Sequence, residues 1–225
     1  MIINGKNLTE YGAKLLSYKV SGSEISNDYY LGPSSHTPIM LNCEVKMKPL
    51  ETVLSFTGTD RFDVAEKVSK FSKAVSQSSE IIMPDGFNYL CILTGISEAT
   101  QITSTMLEVT YQFSAIQRLA LVTVSLNSLN NDVTCQSNVE TECIYEITSA
   151  TDLATFTLND MIIHQLDANK TLIINGLDKL VIQDGINRFA DVEMIEFPKL
   201  SADSNIITKS DASVNVILKY YPTFI

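Results

Sequence analysis

The chain has 225 residues, 45% hydrophobic and 19% charged, which is enough apolar material for real cores and room for two domains of about 100 residues each. Acidic side chains outnumber basic ones 26 to 16, a net charge of −10, and Lys and Arg are not clustered, which excludes a surface built to grip nucleic-acid phosphates. The imbalance is uneven: residues 1–120 carry 10 basic and 12 acidic side chains (net −2), residues 121–225 carry 6 and 14 (net −8).

The acidic half serves solubility, or it makes a surface that repels passing DNA, as a conduit needs. The opening Met1-Ile2-Ile3-Asn4-Gly5-Lys6 lacks the apolar core of about 7–15 residues that a signal peptide has. No apolar run approaches the roughly 20 residues of a membrane span. Folding in a cytoplasm is therefore expected, with Cys43, Cys91, Cys135 and Cys143 reduced. With no Cys-x-x-Cys pair and only two histidines, all four are expected to be small buried hydrophobes rather than metal ligands.

In chain order, the first element is a short helical stretch over residues 9–16, with Thr9 as its cap. From Asn42 to Lys48 the pattern alternates, with Cys43, Val45 and Met47 against Glu44, Lys46 and Lys48. Such alternation predicts a strand with one packed and one wet face. An amphipathic helix follows Asp60. Val64, Val68, Phe71 and Val75 form one stripe, Asp63 supports the N-terminus, Glu66–Lys70 is an i,i+4 pair, and Ser76 to Ser79 end the helix. Residues 81–83 and 89–93 read as strands joined by a tight turn at Pro84-Asp85-Gly86. Leu107, Val109, Tyr111 and Phe113 oppose Glu108, Thr110 and Gln112, the clearest alternation in the chain. A passage between domains falls near 114–127, dividing the chain into 1–120 and 121–225. Beyond it, strands are expected at 172–174, 180–182 and 214–218, with turns at Asn175-Gly176 and Asp184-Gly185. The fold class is mainly β, with one helix covering a sheet.

The search for chemistry finds no nucleophile elbow, phosphate loop or His-Glu-x-x-His. Ser35 beside His36 is read as part of a polar loop bracketed by prolines, because neighbours on an extended chain point to opposite sides. His164 is read as an ordinary strand histidine. Glu140/Glu142 and Glu193/Glu196 are the nearest carboxylate pairs, and Asp152, Asp160 and Asp167 are loop carboxylates without calcium-loop spacing. Each tyrosine doublet, Tyr29-Tyr30 and Tyr220-Tyr221, is expected to place one ring in the core and one at a rim, where an exposed ring suits a subunit interface or a saccharide. No catalytic residue, cofactor or metal ligand is assigned, and the chain is read as a non-enzyme.

Ile2-Ile3-Asn4-Gly5-Lys6 through Tyr11-Gly12 is similar to the opening of the distal tail (Dit) proteins of long-tailed, non-contractile bacteriophages. Leu54-Ser55-Phe56-Thr57-Gly58-Thr59 before a helix, then Pro84-Asp85-Gly86-Phe87-Asn88-Tyr89, follows their strand–helix–hairpin order. Phe197-Pro198-Lys199-Leu200, Asn205-Ile206-Ile207 and the closing Tyr220-Tyr221-Pro222 resemble their last strands. One departure stands at Ser201-Ala202-Asp203-Ser204, where relatives carry a glycine, so a different loop shape is expected.

The resemblance implies two β-sandwich domains. Residues 1–120 would be a ring-forming, tail-tube-like domain with one covering helix, and residues 121–225 a galectin-like sandwich. It further implies a homo-hexamer at the virion tail tip, made in the host cytoplasm. The ring would join the tail tube protein to a tail-associated hub protein, anchor a receptor-binding protein and let DNA pass. Sequence-specific nucleic-acid binding and a membrane partner are not expected. A carbohydrate-binding β-sandwich module or another tail component is the alternative.

Overall fold

The structure, a computed structural model, describes residues 1–33, 36–97 and 99–225. The chain forms two compact units, Met1–Arg118 with Ile225, and Leu119–Phe224.

In the first unit, β1 (Ile2–Ile3) and β2 (Lys6–Asn7) form a small hairpin. The helical stretch expected over 9–16 is a single 3-10 turn, Leu8–Tyr11, followed by a strand. Asn7 rather than Thr9 caps it, and Gly12, at φ +66°, ends it after one turn. The chain continues as β3 (Ala13–Val20), β4 (Ile25–Tyr30), β5 (Ile39–Val45) and β6 (Lys48–Thr57). Helix α1 (Arg61–Val75) leads to β7 (Ser79–Ile82), β8 (Asn88–Ile96), β9 (Thr100–Thr103) and β10 (Met106–Arg118). These strands pair antiparallel in the order β2-β1-β7-β8-β10-β6-β3, with β9 also on β10, while β4 and β5 pair only with each other.

Local chemistry explains the helix. Asp60 Oδ1 accepts from the Phe62 and Asp63 amides at 2.8 and 3.0 Å, satisfying two donors at the N-terminus. Asp63 Oδ2 accepts from the Thr59 amide at 2.8 Å and from Lys67 Nζ at 3.0 Å, and Lys67 also reaches the Thr57 carbonyl. Gly58 is required here, because a Cβ at that position would lie 2.7 Å from Asp63 Oδ2. Val64, Phe71 and Val75 are buried against the sheet. The Phe71 ring sits edge-on to Tyr11, Phe56 and Tyr111 at 5.4, 5.6 and 4.9 Å. Ser72 and Tyr111 hydroxyls share a 2.9 Å hydrogen bond, fixing α1 on β10. The β7–β8 turn is as read from sequence: the Gly86 amide donates to the Met83 carbonyl, and Gly86 takes φ +86°.

The second unit contains β11 (Val122–Leu126), β12 (Asn130–Cys135), β13 (Thr141–Thr148), β14 (Leu153–Leu158), β15 (Met161–Leu166) and β16 (Thr171–Asn175). It continues with β17 (Leu180–Gln183), β18 (Ile186–Asn187), β19 (Val192–Glu193), β20 (Lys199–Leu200), β21 (Asp203–Thr208) and β22 (Asn215–Tyr220). One layer runs β11-β22-β13-β16-β17-β18, with β20 also on β13. The other joins the β12–β21 pair to β14-β15-β19 through hydrogen bonds from Asn159 to Thr208 and from Ser210 to Thr157. Tyr145, Ile147, Phe156, Ile163, Ile174 and Leu218 fill the space between the layers. The β17–β18 turn has Asp184 and Gly185 at φ +52° and +77°, the twist a two-residue hairpin needs. Gly176 has a different role: a Cβ there would meet the Pro198 and Cys143 carbonyls at 2.5 and 2.6 Å, so the residue permits close backbone approach. Asp203, the first residue of β21, takes the left-handed φ of +71°.

Lys209 is buried in this unit. Its Nζ donates to the Leu126 and Val214 carbonyls at 2.8 Å each and to Ala212 at 3.4 Å. Burial lowers its pKa from the ordinary lysine value. The ammonium ties the end of β11 to the approach to β22 by satisfying carbonyls that would otherwise be buried unpaired.

Phe71→Ala is expected to destabilise the protein by roughly 3–5 kcal/mol, since it empties the centre of the aromatic cluster. Chemical denaturation followed by circular dichroism reads this directly. Asp63→Asn should lower the unfolding midpoint at neutral pH. The Thr59 amide, then Lys67, hold the Asp63 pKa below its ordinary value. Its contribution is therefore complete above the unfolded pKa of about 4 and is lost as pH falls through the lower native value. Midpoints of wild type and variant should converge in strong acid.

Candidate assembly surface

The titratable residues singled out by sequence go to structural pairings. His164, exposed on β15, lies with Nε2 2.9 Å from Glu193 Oε1 on the adjacent β19. His36 is exposed, and Ser35 lies outside the described residues. The sequence-adjacent carboxylates do not act as pairs. Instead Glu140 and Glu196 both reach Lys199 Nζ at 3.0 Å, while Glu142 faces Lys179 at 3.7 Å. Glu196 and Glu140 together push the Lys199 pKa up to about 12. Asp152 accepts from the Ala168 amide at 2.7 Å, and Asp167 lies within ion-pair distance of Lys170 and Arg188. Asp160 borders a shallow depression with Tyr145 and Lys199. No group of three or more metal-ligating side chains occurs among the described residues.

Two expectations about side-chain burial are corrected at one place in the fold. Cys91, Cys135 and Cys143 are buried, but Cys43 is exposed. Tyr220 is buried and Tyr221 half-buried, but Tyr29 and Tyr30 are both exposed, at 63% and 54%. All of these exceptions lie on the β4–β5 ribbon. Its strands pair from Ile25↔Val45 to Tyr30↔Ile39, with a bulge between Asp28 and Tyr29. Backbone bonds from Ser21 to Pro49 and from Lys46 to Glu24 continue the β3–β6 ladder directly into it.

Both strands of the ribbon are exposed along their whole length. The alternation read from sequence is nevertheless present. Ile25 and Val45 are direct partners, as are Asn27 and Cys43, and Tyr29 and Met40, so these lie on one face. Asn27, Tyr29, Pro38 and Met40 line an apolar dent on that face. The opposite face carries Ser26 with Glu44 and Asp28 with Asn42, then the exposed pair Tyr30 and Ile39 at the tip. The ribbon is thus amphipathic up to its bulge and apolar on both faces beyond it. An exposed apolar surface of this kind is suited to contact with another molecule.

No protein-family model and no curated protein sequence matches the chain. Among solved structures, the Dit protein of phage SPP1, described as a paradigm of the hub adsorption apparatus in phages that infect Gram-positive bacteria, superposes with a TM-score of 0.75. The match covers 100% of this chain and 98% of that one at 10% identity. The phage P2 baseplate in its activated conformation with Ca gives a TM-score of 0.57 at 11% identity over 97% of this chain and 94% of that one. The corresponding structure with Sr gives 0.56 at 11% identity over the same shares of the two chains. This chain has the mainly β fold of a phage distal tail protein from end to end.

Thiol chemistry checks the burial pattern. Burial pushes the Cys91 and Cys143 thiols up to about 12, so they are neither accessible nor ionised near neutral pH. A maleimide or aromatic disulfide reagent should modify one thiol per native, dissociated chain, at Cys43, and all four after denaturation. Rapid modification of a second native thiol would contradict the packing described.

Proposed function

We propose that this protein is the hub at the distal end of a long, non-contractile phage tail. In this reading a homo-hexameric ring, built through residues 1–120 as a tail-tube-like domain, joins the tail tube protein above to a tail-associated hub protein below. The galectin-like domain, residues 121–225, faces outward and anchors receptor-binding proteins. The protein is made in the host cytoplasm and ends in the virion, and its activity is assembly, with DNA passing through the ring.

The observation that carries the reading is the amphipathic ribbon with an uncovered apolar face, in a chain whose fold matches a hub adsorption protein along its full length. Magnitudes favour a closed ring over a simple pair. Burying what Ile25, Tyr29, Met40 and Val45 still expose, 36–63% of each, contributes on the order of 3–7 kcal/mol, at the low end of the roughly 4–15 kcal/mol cost of bringing two chains together. One such contact is marginal. In a ring every copy makes two, and the closing contact forms at high effective concentration. Charge favours the same unit: the Met1–Arg118 segment holds 10 basic and 12 acidic residues, so copies meet there with little repulsion, whereas 119–225 holds 6 and 14.

Light scattering after gel filtration should give a particle of six times the 24.9 kDa chain mass, and negative-stain images should show closed rings with a central hole. Cys43 labelling should slow on assembly. A chain that stays monomeric at high concentration would refute the hub reading, and open-ended tubes would indicate a tube protein instead.

A further inference from the structure

The second unit carries an apolar prominence that its own core does not use. Between β18 and β20 the chain runs from Phe189 to Pro198. Val192 and Pro198 are buried there, and Met194 and Phe197 pack partly on the core. Ile195, by contrast, is 94% exposed and Phe189 50%. The Phe189 and Phe197 rings lie 5.9 Å apart, so they join into one aromatic surface, with Ile195 two residues before Phe197. This segment is fixed on both sides. Val192 and Glu193 pair with Ile163 and Ile162. The Pro198 carbonyl accepts from the Cys143 amide at 3.1 Å. Arg188, at the start, is held by Asp191, Gln183 and the Gln165 carbonyl. An isoleucine presented to water from a fixed segment forgoes burial that only another molecule supplies.

We propose that the surface formed by Phe189, Ile195 and Phe197 binds a protein segment that carries apolar side chains beside lysine or arginine. The inference rests on the reading of residues 121–225 as the part that anchors an adhesion component, not on ring formation, and it states that partner's chemistry. Charge decides the occupant. From Phe189 to Pro198 the chain has three acidic side chains, Asp191, Glu193 and Glu196, and no basic one. Glu193 and Glu196 are exposed and flank Met194 and Ile195. Two lysines approach from other elements. Lys199 lies between Glu140 and Glu196, and Lys179 Nζ faces Glu142 at 3.7 Å and lies 5.6 Å from the centre of the Phe197 ring. These internal lysines show what the surface accepts, an ammonium between carboxylates or on an aromatic face. The surrounding residues 121–225, with 6 basic and 14 acidic side chains, attract a basic partner from a distance and repel a second copy of themselves. A saccharide fits poorly, because the Ile195 side chain has no hydrogen-bonding group for a hydroxyl.

A random peptide library displayed on yeast, selected on the full chain and counter-selected on Ile195→Ser, tests this. Ile195 is almost wholly exposed, so Ile195→Ser should fold as the wild type does, which circular dichroism and thermal melting check. Peptides retained by the wild type and rejected by Ile195→Ser should combine Leu, Ile, Phe or Trp with Lys or Arg and be poor in Asp and Glu. Made singly and titrated by calorimetry, they should bind Ile195→Ser about tenfold or more weakly. They should also bind the double variant Glu193→Gln, Glu196→Gln more weakly at low salt, with the difference shrinking as salt is raised. Selected peptides that are acidic, or whose affinity ignores both sets of substitutions, would overturn the proposal and leave the partner elsewhere on the unit. A library that yields no binder at all would remove the partner reading of residues 121–225 as well. Neutral phosphatidylcholine vesicles that bind the wild type but not Ile195→Ser would overturn the proposal by assigning the surface to lipid.

Discussion

An amphipathic β-ribbon imposes one constraint on this protein. Ile25, Tyr29, Met40 and Val45 share a face that, in the isolated chain, stays 36–63% exposed. Each forgoes about 0.5–2 kcal/mol of attainable burial while it stays there. Two strands without a third, and without anything packed on them, are at best marginally stable in water. The ribbon is nonetheless defined by six paired positions on β4, and two backbone hydrogen bonds, Ser21 to Pro49 and Lys46 to Glu24, connect it to the end of the β3–β6 ladder. Its stability as drawn depends on the sheet behind it, and its apolar face gains a purpose only when another surface covers it.

The remainder of the first unit holds that ribbon steady. β6, which continues into β5, lies beside β10 over ten paired positions. α1 closes over both through Phe56, Phe71 and Tyr111. The Asp60 and Asp63 caps fix where the helix begins, just past the Thr57 end of β6, while the ribbon departs from the opposite, Lys48 end of the same strand. The second unit is built differently. Two layers enclose its core, a buried lysine ties strand ends together, and its acidic residues are partly neutralised by cross-strand partners such as Lys199 and Lys219. Its excess of negative charge makes it a poor surface for self-association and a good one for staying dispersed or keeping DNA at a distance.

What could be read in the sequence follows from the range of the forces involved. Asp60 acts within three residues, and Pro84-Asp85-Gly86 within four, so the helix start and the tight turn were legible. The stretch after Thr9 was misread as helix because Asn7 and Gly12 together permit only one turn, and a short apolar window suits either period. The alternation from Asn42 to Lys48 identified a strand at Cys43–Val45 but runs across a break, since β5 ends at Val45 and β6 begins at Lys48, and the packed face it implied is exposed along β5. The same gap explains Cys43, expected to be buried by residue type, and the Tyr29-Tyr30 doublet, expected to place one of its two rings in the core. Lys199 reaching Glu140, and Lys209 reaching Leu126, depend on strand register across 50 or more residues, which no local pattern encodes. Gly176 stands in the turn that the sequence indicates, but the carbonyls that exclude a side chain there come from Cys143 and Pro198.

The account stands on the ribbon's apolar face being covered by a neighbouring copy. Amide hydrogen exchange across residues 25–30 and 39–45, followed from dilute to concentrated protein, measures this most directly. Protection of those amides should rise with concentration in step with particle mass, while the α1 core stays constant. Exchange in the ribbon that is fast and unchanged while large particles form would contradict it.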